Sequence, residues 1–355
     1  TTTTTAQAGV LENTPRLNYT TGVANPYLLL EPSRTNLVEQ SELFNVATSW
    51  IASGRPAVQT NVIVSPEGAQ NGSRLTYGVG NVLRYSPELT FTNGYSYSIF
   101  VKKDVGRYVT IYAAFFTTSA AIGFDLDEGT CQAGGVIEPY GDEWYRISVS
   151  NSVAGDADKS GYFYLYSTSV LGATSSTSGN KLYVYGAQIE DGTYPTSYIP
   201  TYSVSATRAQ DTCDKTNASG EINSTEGVLY TEIAKNNVLG SEGGLFLRKD
   251  TSNEIRLNLA PNNRINLFVN VGGVLQVYMD NSTFTLEDYN KIAVKYKLND
   301  YSVFVNGTKI YTDTSALVPA DMNELKFNSL YGKVNAIQVY KEALTDAELA
   351  TLTTI

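Results

Sequence analysis

The sequence predicts an all-β protein made of two antiparallel β-sandwiches, the first a jelly roll, behind an extended N-terminal arm. Three observations carry that prediction. Tyr (26) and Gly (29) are abundant, while Met (2) and charged residues (17%) are scarce. Tyr and Thr suit a pleated, half-wet surface, whereas long helices want Ala, Leu, Glu and Lys. Short runs that alternate apolar and polar residues recur along the chain, and almost nothing repeats at helical period. Gly, Asn and Pro stand between those runs, where the chain must turn.

Residues 1–40 read as an irregular arm interrupted by Pro15, Pro26 and Pro32. Its apolar run Tyr27-Leu28-Leu29-Leu30 needs a cover, supplied by the first domain or by a neighbouring copy of the chain. Residues 41–200 hold nine short strands, at 58–64, 73–77, 82–85, 95–102, 108–114, 121–125, 144–150, 162–167 and 181–189, with Asn93-Gly94 as the best hairpin signal. Without a βαβ rhythm these strands stack as two antiparallel layers, and a jelly roll is the topology that fits. Trp144 plugs one end of that sandwich, with Arg146 alternating outward.

Residues 201–220 are small, polar and weakly periodic, which marks a linker. From 221 to 355 the alternation resumes in ten further runs. Asn306-Gly307 sits between Val303-Phe304-Val305 and Lys309-Ile310-Tyr311 as a two-residue hairpin, because both turn positions need positive φ. A second sandwich follows. Only the C-terminus reads as helix: Thr345-Asp346-Ala347-Glu348 fits a capping box, with Leu344, Leu349 and Leu352 as the apolar side.

Composition also excludes chemistry. With no histidine in 355 residues, Ser-His-Asp and Cys-His catalysis, His-ligated zinc and a His pH switch are ruled out. The net charge of −10 and the lack of any Lys/Arg cluster argue against nucleic acid, whose affinity comes largely from cations on phosphate. No long apolar run offers a membrane-spanning helix. Cys131 and Cys213 have no metal-ligand spacing and read as unpaired thiols or incidental core residues in preference to a disulfide.

Several strings carry a resemblance. LLLEPSRTN (28–36), Ser41-Glu42-Leu43-Phe44 leading to Trp50, YSYSIFVKKD (95–104), DEWYRISVS (142–150), GAQIEDGTYPTSYIPT (186–201) and TRAQD (207–211) resemble landmarks of bacteriophage virion fibre and tail proteins. There they mark a jelly roll similar to carbohydrate-binding modules. NKIAVKYKLNDYSVFVNGTKIY (290–311) and VNAIQVYKEALTDAEL (334–349) resemble the concanavalin A-like, or laminin G-like, sandwich that such proteins carry at their ends. The resemblance implies a homotrimeric head or tail fibre on the exterior of a phage particle, with other virion proteins as partners and host surface polysaccharide as receptor.

The candidate glycan-binding residues come from the sequence pattern itself. Tyr162, Tyr164 and Tyr166 alternate on one strand face, as do Tyr183 and Tyr185, with Tyr95, Tyr97, Tyr108 and Tyr112 on nearby strands. A phenol offers a flat apolar ring to a pyranose and keeps a hydroxyl for hydrogen bonding. It serves equally in a half-buried face or a subunit interface. Arg248, Arg256 and Arg264 recur on three successive strands; if those strands are neighbours, the guanidiniums gather toward acidic sugars or, alternatively, form surface ion pairs. The DxD of Asp156 and Asp158 suits calcium, and equally a solvated turn. Asp125, Asp127, Glu128, Asp142 and Glu143 are the carboxylates a glycosidase would draw on. The second sandwich lacks the EXDXXE arrangement of concanavalin-like glucanases. The reading is therefore cofactor-free, non-catalytic adhesion to host glycans. Purely structural capsid or tail decoration and a glycan depolymerase are the alternatives.

Overall fold

The computed structural model describes residues 16–18, 26–85, 87–92, 94–115, 119–152, 160–235, 243–286 and 288–355. Among them, Ser33–Ala209 form one compact unit, and the residues from Arg16 to Pro32 join Gln210–Ile355 in a second. Among the described residues strands, turns and loops account for nearly everything, with one short α-helix at the C-terminus. Asn93, of the Asn93-Gly94 turn, lies outside the described residues.

The first unit is a jelly roll of eight principal strands: β1 (Gly72–Thr76), β2 (Leu83–Arg84), β3 (Gly94–Val105), β4 (Tyr108–Phe115), β5 (Ser119–Asp125), β6 (Trp144–Ser152), β7 (Ser160–Thr168) and β8 (Lys181–Asp191). One sheet runs β1-β8-β3-β6 and the other β2-β7-β4-β5, all antiparallel. Successive strands thus cross between layers, except for the β4–β5 hairpin. Period-two alternation then fills the space between the sheets with Ile99 and Val101 of β3, Ile111 of β4, Ile147 of β6, Phe163 and Leu165 of β7, and Val184 of β8. Tyr95 and Tyr97 belong to this core, only 4% and 2% exposed. They do not join an outer tyrosine face, because the pleat turns them inward beside Ile99.

Trp144 does not plug a sandwich end. Its strand turns Ile147 and Val149 into the core, so Trp144 falls on the opposite face, where it clusters with Phe100, Tyr185 and Tyr198. Arg146 alternates outward as the sequence suggested but is buried, donating to Ser98 Oγ (2.9 Å) and the Thr196 carbonyl (2.6 Å). The chain after β8 forms this second layer. Gly186, at φ +58°, lies where the β8–β3 register shifts, and an added Cβ would press on Phe100 and Tyr198.

In the second unit a seven-stranded sheet faces a six-stranded one, the two-layer layout of a concanavalin A-like sandwich. Leu247, Ile255, Leu267, Val294 and Val303 fill the space between the layers. Tyr27–Leu30 pairs antiparallel with Gly332–Tyr340, and Leu30 enters this core. The greasy run is therefore covered within the second unit, by a strand about 300 positions away in sequence. Asn306 (φ 52°) and Gly307 (φ 80°) turn the Tyr301–Val305 and Thr308–Asp313 hairpin as expected. The helix α1 (Asp346–Thr353) starts on the predicted capping box: Thr345 accepts from the Glu348 amide, and Glu348 accepts from the Thr345 amide. Leu349 packs against Val228 and Phe304. Cys131 and Cys213 are free thiols.

Candidate functional site

The outer face of the β2-β7-β4-β5 sheet is built of tyrosines, because Phe163 and Leu165 face the core and their neighbours must face away. Antiparallel pairing sets Tyr164 of β7 directly opposite Tyr112 of β4, with ring centroids 5.7 Å apart. Tyr166 stacks on Tyr164 at 6.3 Å and 14°. On the other flank β2 places Arg84 opposite Tyr164. Its guanidinium lies over the Tyr162 ring (4.9 Å) and the Tyr164 ring (5.7 Å) and donates to Tyr164 Oη at 3.4 Å. Four of the tyrosines singled out in the sequence, Tyr112, Tyr162, Tyr164 and Tyr166, are thus brought onto one half-exposed surface.

Small residues open space beside the rings. Ala121 of β5 pairs with Tyr112, and Ala114 of β4 pairs with Tyr162, so two alanines lie where bulk would close the surface. One step along the strands, Gly123 pairs with Thr110, and Thr110 with Tyr166. A Cβ on Gly123 would lie 2.3 Å from the Gly172 amide nitrogen, so the loop after β7 rests directly on this row. Thr110 is consequently fully buried, while Val170 and Leu171 stand exposed on the loop. The result is a tyrosine floor with a wall along one side. Burial beside Tyr164 and Tyr112 raises the Tyr166 hydroxyl above the ordinary tyrosine range, with nearby Arg84 pulling the other way. The Tyr166 hydroxyl therefore stays protonated at neutral pH, able both to donate and to accept.

The three arginines of the second unit do not converge. Arg248 opposes Glu254, Arg256 opposes Phe246 and Phe268, and Arg264 opposes Ala260. They share a face but occupy three different rows, and rows of one face lie about 7 Å apart. Arg248 is held by Glu324 at 2.5 Å, and Arg264 by Asp280 (Nε to Oδ1, 2.9 Å). Arg256 lies on the Phe268 ring at 4.3 Å, with Glu254 at 4.0 Å. Each cation already has its own partner. A concavity of about 550 Å³ in this unit, lined by Ser219, Asn223, Asp321 and Lys341 among others, has no aromatic ring among the described residues of its lining.

The carboxylates offered by the sequence are tied to cations. Arg107 donates to both oxygens of Asp125 (Nε to Oδ1, 2.8 Å; Nη2 to Oδ2, 2.6 Å), which holds that carboxyl below its usual range. Asp127 pairs with Lys103, and Asp142 and Glu143 with Lys102. Asp156 and Asp158 lie outside the described residues, and no group of three or more potential metal-ligating side chains occurs among the described ones. No described helix is long and apolar enough to cross a membrane.

Sequence reasoning missed a carboxylate pair, buried Glu42 and half-buried Glu67, on the other side of the unit. Glu42 Oε1 accepts from Tyr198 (3.1 Å), Tyr185 (3.2 Å) and Tyr202 (3.3 Å), Glu67 Oε2 accepts from Tyr185 (2.7 Å), and Asn71 donates to both carboxylates. Burial first, and Glu67 second, raise the Glu42 carboxyl. No spacing signals this cluster, because it joins two loops to β8 and its exit. Sequence reasoning missed Arg84 as well. Alternation with Leu83 turns it outward, but only the β2–β7 pairing brings it to the tyrosines.

No protein-family model matches the chain, and no curated protein is significantly similar to it. Among solved structures it is similar to the CBM40 of a Ruminococcus gnavus IT-sialidase bound to α2,3-sialyllactose (17% identity, TM-score 0.32, 37% of this chain and 84% of that one). It is similar also to domain 4 of AbnA, a GH43 extracellular arabinanase of Geobacillus stearothermophilus, in complex with arabinotriose (15%, TM-score 0.35, 46% and 84%). The galectin LEC-6 of Caenorhabditis elegans is a third (14%, TM-score 0.30, 37% and 91%).

Proposed function

We propose that the jelly roll binds glycan on its tyrosine face, reversibly and without catalysis or cofactor, as the adhesion module of a bacteriophage fibre displayed outside the particle. The observation that carries the binding is the convergence of Tyr112, Tyr162, Tyr164 and Tyr166 from two adjacent strands onto one half-exposed surface flanked by alanines. Aromatic rings presented this way hold the C–H face of a sugar while their hydroxyls replace hydrogen bonds to water. The virion location, the homotrimer and the other virion proteins as partners rest on the landmark strings of the sequence. Such an open surface binds each glycan weakly, and several linked copies raise avidity by about 10²–10⁴ through effective concentration.

The test is a glycan array with the intact protein, followed by titration of the retained oligosaccharide into Tyr164→Ala. Truncating a central aromatic contact costs about 1–2 kcal/mol, roughly fivefold to thirtyfold in Kd. Unchanged affinity in Tyr164→Ala refutes the site. No retained glycan at millimolar ligand, together with a tight complex with a capsid or tail subunit, would establish structural decoration instead. Reducing-end release from host capsule would establish a depolymerase.

A further inference from the structure

We propose that Arg84 makes the tyrosine face selective for acidic glycans, its guanidinium pairing with a sugar carboxylate seated over Tyr164. The inference rests on the glycan-binding reading of that face and adds the class of ligand.

The argument starts from what Arg84 lacks. Most arginines on the surfaces discussed above are neutralised at short range: Arg107 by Asp125, Arg248 by Glu324, Arg264 by Asp280. Arg84 has no carboxylate partner among the described residues; its contacts are the Tyr162 and Tyr164 rings and the Tyr164 hydroxyl. Its Nε is buried without a hydrogen-bond partner. A half-buried guanidinium with only phenols around it keeps donors to spare, and the planar fork matches a carboxylate better than a neutral hydroxyl. The low-dielectric aromatic surroundings strengthen that pairing relative to open water. In a protein of net charge −10, an unneutralised cation on the flank of the aromatic floor also sets the sign of the local field against that of the whole. Aromatic stacking therefore supplies affinity for sugar in general, and Arg84 decides between charged and uncharged versions of the same ring.

A matched pair of probes isolates the charge: trigalacturonic acid and its fully methyl-esterified form, which keeps the rings and removes the carboxylates. Titration into the full chain at low salt should favour the acid about tenfold, the worth of one charge-assisted hydrogen bond at a partly screened site. The preference should shrink at 0.5 M NaCl. Arg84→Gln should abolish the preference, leaving acid and ester bound alike, and Tyr164→Ala should weaken both probes together. Equal affinity of the wild-type chain for acid and ester, or a preference that survives in Arg84→Gln, overturns the role of Arg84. If neutral oligosaccharides bind in a Tyr164-dependent way and the acid does not, the acidic preference falls while the tyrosine platform stands. If no sugar binds in a Tyr164-dependent way, both fall.

Discussion

Replacing Glu190 by alanine tests whether the jelly roll depends on a buried carboxylate that the sequence shows only as part of a recurring string. Glu190 is fully buried at the end of β8 and accepts from the Thr196 amide (2.8 Å), the Thr196 hydroxyl (2.5 Å) and the Gln188 side chain (2.9 Å). The same turn receives Arg146 on the Thr196 carbonyl. Gln188 has a second acceptor in that carbonyl (3.1 Å), so Glu190→Ala strands chiefly the two Thr196 donors. At about 1–3 kcal/mol for each orphaned buried donor, plus the void left by the side chain, the loss comes to about 3–5 kcal/mol. Both tryptophans, Trp50 and Trp144, lie in the jelly-roll unit, so intrinsic fluorescence follows its unfolding. With a urea slope of about 2–3 kcal/mol/M, the midpoint should fall by about 1–2.5 M. Glu190→Gln keeps one acceptor oxygen and the volume, and should lose less than half as much. A Glu190→Ala midpoint within about 0.3 M of wild type would refute the reasoning. So would a Glu190→Gln variant as unstable as the alanine one.

Two further predictions follow from the same kind of accounting. Glu42 has its carboxyl raised in the folded chain by burial and by Glu67, so the folded state holds a proton that the unfolded chain has released. Stability therefore declines as pH rises from the ordinary Glu value through the folded one, and Glu42→Gln removes that decline. Thermal melts from pH 4 to 7 should show the variant gaining on wild type as pH rises, and parallel profiles would contradict this. At the other end of the chain, Thr345→Ala deletes the hydroxyl that accepts the Glu348 amide and should cost the helix about 1 kcal/mol. Amide exchange across 346–353 should then accelerate about fivefold, read by hydrogen–deuterium exchange, while the sheets stay protected.

Local rules made much of this protein legible. The capping box at Thr345 and the Asn306-Gly307 hairpin each depend on a few neighbouring residues whose backbone needs are satisfied on the spot. The alternation of Tyr162, Tyr164 and Tyr166 was legible for a similar reason, since a strand turns every second side chain to the same side whatever it pairs with. The tyrosine pair 95 and 97 obeyed the same period yet faced the core. Period alone assigns residues to a common side without saying which side is wet.

By itself, then, the sequence determined the all-β class, the turns, the terminal helix and the sets of residues that share a strand face. Only the tertiary structure decided which faces meet. It set Tyr112 against Tyr164 and brought Arg84 to both Tyr162 and Tyr164. It spread Arg248, Arg256 and Arg264 over separate rows, and it sent Leu30 into the second unit's core. The physical reason is register. A strand's pairing partner is chosen by the joint burial of many distant side chains, and a shift of one residue moves every side chain to the other face.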